Sequence, residues 1–324
     1  MKAKLMVIPI IIFWLLMSGI SSAVDLGMMT GSSKGTYFQF GLNMMKLSQK
    51  YGYDLSVYNS RGSVENIYAV YKRPKTQMGI VQSDVLAFVL KVQSNATLKQ
   101  IARKTKMIFP LYNEEIHCLG KNSIQSFDDL EGKTVAIGKE GSGTYMTSKL
   151  LFEVSGITPK KTVALGTDKA LSGLKQGTID AMFYVAGFPV KLFAENVTEN
   201  EGLHLVPITN KSITEFYPVA QIPGNTYAWQ PEKVNTVAVK AVLVSFDFRR
   251  NNCDYVGKFA RTIYTNLDWL VQNGHSKWKS VDLDYPLKGW EQYDCVQKYL
   301  HGYMEEKIEP MEKNPLLDAI KELL

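Results

Sequence analysis

Small hydroxyl residues held between glycines recur along this 324-residue chain, and two such groups could do chemistry. Gly31-Ser32-Ser33-Lys34-Gly35 has the Gly-x-Ser-x-Gly form of a nucleophile elbow, a strand-to-helix turn that lifts a serine for acyl transfer. An elbow follows several earlier strands and takes an oxyanion donor from an upstream loop, whereas few residues precede Gly31 once a leader is discounted. Hydrolysis through Ser33 is therefore the weaker reading. Gly138-x-x-x-x-Gly143 begins like a phosphate-binding loop but continues Thr144-Tyr145, without the lysine that reaches the outer phosphates. As a dinucleotide fingerprint it fails too, because Met146 stands where the third glycine belongs. The four histidines, His117, His204, His275 and His301, are far apart in sequence and show no zinc spacing. No metal and no cofactor is expected.

What remains at Gly141-Ser142-Gly143-Thr144 is a seat for an anion. Glycines let backbone approach a ligand, and the unpaired N–H groups of a first helical turn favour a carboxylate or phosphate.

The elements that must position this seat are legible around it. Thr134-Val135-Ala136-Ile137 is a short apolar run, as in a strand covered on both faces. Met146, Leu150 and Val154 then share a helix face, and Gly156 is the expected stop. The same strand, polar turn and helix recur upstream. Leu26 to Thr30 leads through the first glycine loop to a helix with Tyr37, Phe40, Met44, Leu47 and Tyr51 on one face. Tyr53, Leu55 and Val57 alternate as a strand, and Ser63 is expected to cap a helix carrying Val64, Ile67, Tyr68 and Tyr71. Met78 to Val81 leads into Gln82-Ser83-Asp84 and another helix. Such turns line one edge of an open parallel sheet, where ligands bind. Met107 to Leu111 and Ile116 to Leu119 read as two extended pieces that leave this first unit. In the second unit, Ile179 to Tyr184 is a strand and Val185 to Pro189 its turn. Val234 to Phe246 is a long β-rich run suited to cross back to the first unit. The remainder is mostly helical, with Val256, Phe259, Ile263, Leu267 and Leu270 on one core-facing stripe.

Residues 1–23 have the three parts of a secretory signal: basic Lys2 and Lys4, an apolar run from Leu5 to Met17, and small residues Ser21 and Ala23 before a cut. An exported protein, not embedded in the membrane after cleavage, is expected. The net charge of +6 includes Lys2 and Lys4, and the remaining basic residues are scattered, which argues against nucleic acid as a partner. Three cysteines allow one disulfide at most. A bridge between Cys253 and Cys295 and a set of three free thiols, with Cys118 buried in a strand, both fit.

The motifs in order resemble the TAXI-type solute-binding proteins of tripartite ATP-independent periplasmic (TRAP) transporters. The resemblance runs through Thr30-Gly31 to Tyr37, Gly62-Ser63-Val64-Glu65-Asn66, Gly79 to Asp84, Gly138 to Thr144, Gly177 to Ala181, Ala186-Gly187-x-Pro189, Ile222 to Tyr227 and Val237 to Leu243. It implies an α/β type II periplasmic-binding clamshell, each lobe a mostly parallel sheet flanked by helices, with a helical C-terminal region. Lobe 1 would comprise 24–110 and 240–324, and lobe 2 would comprise 111–239. It further implies a periplasmic, monomeric receptor, not an enzyme, that captures a small organic anion such as glutamate and passes it to a TRAP permease. The same fold could serve sensing or act as a surface antigen. Carried over residue by residue, the ligand contacts would be Ser33 and Tyr37 at the first turn, Ser63 and Asn66 at the second, and Gln82 and Ser83 at the third. The second lobe would add Gly141, Ser142, Gly143 and Thr144, with Gly187 bringing backbone close and Tyr184 covering the cleft. Lys34 departs from the usual loop glycine and is expected to supply a charge to the anion.

Overall fold

The computed structural model describes residues 24–33, 35–91 and 94–301, so the expected leader and Lys34 lie outside the described residues. In the first lobe β1 (Val24–Met29) leads to α1 (Thr36–Ser48), then β2 (Tyr53–Tyr58), α2 (Ser63–Lys72), β3 (Met78–Gln82), α3 (Val85–Lys91) and α4 (Ala96–Arg103). β1 pairs in parallel with both β2 and β3. Gly52 closes the turn after α1 at φ 76°, a left-handed conformation that a glycine adopts at little cost.

β4 (Thr105–Lys121) is one strand of 17 residues, where the sequence pattern predicted two pieces. The polar interruption Asn113-Glu114-Glu115 keeps its backbone in the ladder, because it pairs with Ala238 to Lys240 of a later strand. The second lobe follows as β5 (Thr134–Ala136), α5 (Gly143–Ser155), β6 (Lys161–Val163), α6 (Thr167–Lys175), β7 (Ala181–Val185), α7 (Lys191–Asn196), β8 (Leu203–Leu205), α8 (Lys211–Phe216) and β9 (Val219–Ile222). β10 (Val234–Phe246) then returns along β4.

The strand order β2-β1-β3-β10-β4-β7-β5-β6 shows what joins the lobes. β10 runs antiparallel to β3 in the first lobe and to β9 in the second, while β4 pairs with β10 and then with β7 and β8. Two long strands thus cross between the lobes, and their register shifts between Lys240 and Val242. Such an irregularity bends a strand pair locally.

The C-terminal region consists of α9 (Asn251–Thr265), α10 (Leu267–Asn273), a 3₁₀ turn over Ser276–Ser280 and α11 (Asp294–His301). The predicted stripe is buried at Val256, Phe259, Ile263 and Leu270, but the helix breaks at Asn266. Asn266 turns its Nδ2 back onto the carbonyl of Thr262 and accepts from Tyr51 O–H at 2.7 Å, which diverts the chain there. Cys253 of α9 and Cys295 of α11 are disulfide-bonded, with Cα atoms 5.5 Å apart, and Cys118 is a buried free thiol. Among the described residues no helix is long and apolar enough to cross a membrane.

Ser63 does not cap α2 as expected. Gly62, at φ 131°, holds the N-cap position, and Ser63 Oγ accepts from Gln82 N at 2.9 Å, tying the second loop to the end of β3.

Candidate functional site

The loops at the carboxyl ends of β1, β2 and β3 face the loops after β5 and β7 across the crossing strands. Contact between the two sets is close. A Cβ added at Gly62 would lie 3.2 Å from Gly143 N, and one added at Gly143 would overlap Gln82 Oε1. In the second lobe Gly138 and Gly141 have φ of 89° and 81°, which turns the chain sharply into α5. Ser142 caps that helix by accepting from Tyr145 N at 3.1 Å, and Thr144 Oγ1 accepts from Val185 N at 3.1 Å. Both hydroxyls keep a proton to donate, and Gly143 N at the head of α5 lies beside Gly62 of the first lobe.

The other expected contacts divide into two groups. Gln82 meets Gly143, and Gly141, Ser142 and Gly143 lie beside Gly62 of the other lobe; Tyr37 reaches Glu114, Thr144 bonds Val185, Tyr184 packs edge-on against Phe193, and Gly187 lies beside Lys277. An added Cβ at Gly187 would lie 2.5 Å from Lys277 Cε, so a larger residue there would have to displace the end of that side chain. Ser63, Asn66 and Ser83 instead hold the loops in place. Asn66 is fully buried, donates through Nδ2 to Thr30 O and Ile80 O, and accepts from Ser60 Oγ, so it ties three loops at once. Ser83 exchanges two bonds with Lys240, N to O at 2.8 Å and Lys240 N to Oγ at 3.0 Å, and Trp290 Nε1 donates to its carbonyl at 2.9 Å. Ser33 is exposed in the first loop.

The histidines are engaged elsewhere. His117 lies between Glu115 O and the Tyr227 hydroxyl, His204 Nε2 meets Ile124 O, and His275 Nδ1 accepts from Lys277 N. Burial pushes His117 down to about 4, so it is neutral at ordinary pH. Among the described residues no cluster of His, Cys, Asp and Glu could hold a metal ion.

A model of the NMT1-like family matches residues 28–290, which covers both lobes and the crossing strands. The chain belongs to the NMT1-like family. Solved structures resemble this NMT1-like chain at low identity. The periplasmic binding protein BugD aligns at TM-score 0.51 and 9% identity over 88% of this chain and 98% of its own. Tv2483, solved with L-arginine, aligns at 0.51 and 12% over 81% and 93%. A histidine kinase sensor domain similar to periplasmic binding proteins aligns at 0.50 and 13% over 80% and 98%. At these identities the likeness establishes the fold, that of the two-lobed periplasmic binding proteins.

Four charged residues of this NMT1-like chain were not among the expected ligand contacts, although Asp84 ends a loop that the sequence pattern places at the sheet edge. Glu114 and Glu115 lie mid-way along β4, and Tyr37 O–H donates to Glu114 Oε2 at 2.5 Å. Glu115 Oε2 lies 3.5 Å from Lys277 Nζ and accepts from Phe188 N at 3.3 Å, which links the crossing strand, the C-terminal turn and the second lobe. The fourth is Asp84. The signal available for the glutamates was two consecutive acids inside an otherwise apolar extended run. Lys277 offered no such signal, since only the packing of Trp278 brings the C-terminal turn to the cleft.

Asp84 fastens the lobes to each other. It is buried, and its Oδ2 accepts from Thr147 Oγ1 of α5 at 2.8 Å and from Tyr217 O–H at 3.0 Å. Oδ1 has no donor from another residue. Around it Val85 and Phe88 of α3 share one apolar cluster with Met146 and Leu150 of α5. Burial raises Asp84 from 3.8 to about 6. A raised carboxyl favours folding below its unfolded value and loses that contribution as pH rises through the folded one, here between about pH 4 and pH 7. Asp84→Asn keeps the acceptor and removes the buried charge. The variant should gain up to about 3 kcal/mol over the native chain at pH 8 and almost nothing at pH 4. Urea unfolding at the two pH values measures the difference, and an equal effect at both would contradict a buried ionising group.

Proposed function

We propose that this chain is an extracytoplasmic solute receptor of the TAXI type that closes on a small organic anion and presents it to a TRAP-type permease. One observation carries the reading: the N-terminus of α5 faces, at close contact, the loops of a lobe joined to it through crossing strands, apolar packing and the hydrogen bonds of Asp84 to Thr147 and Tyr217. Donors meet there from two bodies that can move apart, so a solute touching both favours the closed form by its extra affinity for it. In this reading Gly141, Ser142, Gly143 and Thr144 take the anionic group, and Ser33, Lys34, Tyr37, Gln82, Tyr184 and Gly187 complete the shell. Ser63, Asn66 and Ser83 act by fixing the loops. The lobes comprise 24–110 with 240–324, and 111–239, and the receptor works as a periplasmic monomer without catalytic turnover.

Thermal melts of protein unfolded, stripped of carried-over ligand and refolded test the reading against amino acids, dicarboxylates, keto acids and sugars. A true solute at 100 times its dissociation constant adds about 2.7 kcal/mol, a shift of several degrees. A shift confined to carboxylates is expected. A shift with sugars alone, or none with any carboxylate, would sink the anion assignment.

A further inference from the structure

Three buried carboxyl groups lie close enough for Asp84 and Glu115 to act on Glu114. Glu114 and Glu115 come from β4 and Asp84 from the turn after β3, and none is more than 9% exposed. Among the described residues the ammonium within ion-pair distance of any of them is that of Lys277, and it goes to Glu115. Lys240 of β10 turns its own onto the Tyr285 ring, 4.1 Å from the centroid. Asp84 is engaged by Thr147 and Tyr217. Among the described residues Glu114 has one hydrogen-bond partner, the Tyr37 hydroxyl, and it is held through Oε2. In the proposed receptor Lys34 goes to the solute's anionic group, so the buried Glu114 carboxylate, with no cation of its own, is expensive and takes up a proton instead. Because Tyr37 donates to Oε2, that proton belongs on Oε1, the oxygen left for another molecule. A second polar atom awaits a partner in the interlobe space: Gln82 Oε1, whose residue is 3% exposed, has no donor and faces Gly143 at the head of α5.

We propose that Glu114 stands in the cleft as a neutral carboxylic acid and donates its Oε1 proton to an anionic group of the solute, so that capture is linked to a proton held on the crossing strand. This rests on the reading of the cleft as an anion site. A neutral acid there removes the repulsion that three ionised carboxylates would present, and it adds a donor to those of α5. The surroundings agree from every side. Burial raises Glu114 from 4.5 to about 8; Asp84 and Glu115 push the same way, while the Tyr37 bond and Lys277 oppose. Tyr112 of the same strand and Tyr184 of β7 also face it, and burial followed by Glu114 itself raises both hydroxyls. Tyr37 is raised well above its usual value by burial and then by Glu114, which keeps it a donor.

The test compares the native chain with Glu114→Gln, which keeps an acceptor for Tyr37 and offers an amide N–H in place of the acid. Succinate, 2-oxoglutarate and L-glutamate serve as probes in isothermal titration from pH 6 to pH 9.5. For any probe that binds, the native dissociation constant should rise by about tenfold per pH unit above pH 8, while that of Glu114→Gln stays level. A level native profile overturns the proposal. So does an affinity that rises with pH and vanishes in Glu114→Gln, since that would place an ionised Glu114 on a cationic group. A measurement without solute separates the two readings. A raised carboxyl costs stability as pH climbs through its folded value, so the native chain should lose stability relative to Glu114→Gln between pH 5 and pH 8. Parallel profiles overturn the neutral acid whether or not a probe binds. No binding by any probe sinks the anion site and the donation with it, and the stability profile then decides the protonated Glu114 alone.

Discussion

Trp278→Ala destabilises the protein by about 3–5 kcal/mol in urea unfolding and also weakens solute binding. Trp278 is wholly buried and stacks on Phe40 of α1, ring centroids 4.2 Å apart at 17°. Its indole Nε1 donates to Asn43 Oδ1 at 3.0 Å, and the same oxygen accepts from His275 N at 2.8 Å. The indole thus pins the turn over Ser276–Ser280 to α1 and sets Lys277 against Glu115 and over the Phe188 ring. Loss of the ring opens a large cavity in the first lobe's core and releases the side chain that Gly187 makes room for. Trp278→Phe separates the two effects. It retains the stack and forfeits the indole bond, a cost of about 1 kcal/mol beyond the lost volume. If Trp278→Ala changes stability while leaving solute affinity untouched, Lys277 does not depend on this packing and the turn is only a support.

Removing the disulfide has an effect of similar size. The bond between Cys253 and Cys295 closes a separation of 42 residues, and chain entropy assigns a loop of that length about 4 kcal/mol. Around it Val256, Phe259, Val296 and Tyr293 bury against the first lobe. Paired Cys253→Ser and Cys295→Ser substitutions, or reduction of the native chain, should lower the unfolding free energy by about 2–4 kcal/mol and leave the second lobe's packing unchanged. Hydrogen exchange locates the loss. Faster exchange is expected in α9 and α11, and uniform acceleration through β5 to β8 would show that the tail supports both lobes. Cys118 should resist alkylation in the folded protein, since it is buried in β4 and burial pushes its thiol up beyond the usual range.

Local patterning carries much of this architecture. The strand at Thr134, the glycine turn after it, the helix through Met146 and Leu150 and its stop at Gly156 are all properties of neighbouring residues, since apolar runs, capping hydroxyls and left-handed glycines act over a few positions. β10 spans Val234–Phe246, as its β-branched composition predicts. Short edge elements such as β6, β9 and α8 were not legible, because three to six residues give too little periodicity and pairing decides them.

The candidate site divides along the same line. Sequence by itself determined that glycine and hydroxyl turns sit at strand ends, because backbone conformation demands those residue types there. Tertiary structure decided which of those polar groups are spent on the fold. Asn66, Ser63 and Ser83 look like ligand contacts in sequence, yet their partners at Thr30, Gln82 and Lys240 come from other strands. It also decided the charge of the cleft. Asp84, Glu114, Glu115 and Lys277 are scattered over nearly two hundred positions, and only the crossing of β4 and β10 and the seating of Trp278 bring them together. Burial then raises the carboxyls of Asp84 and Glu114, and burial is a property of the assembled lobes that no short window of residues encodes.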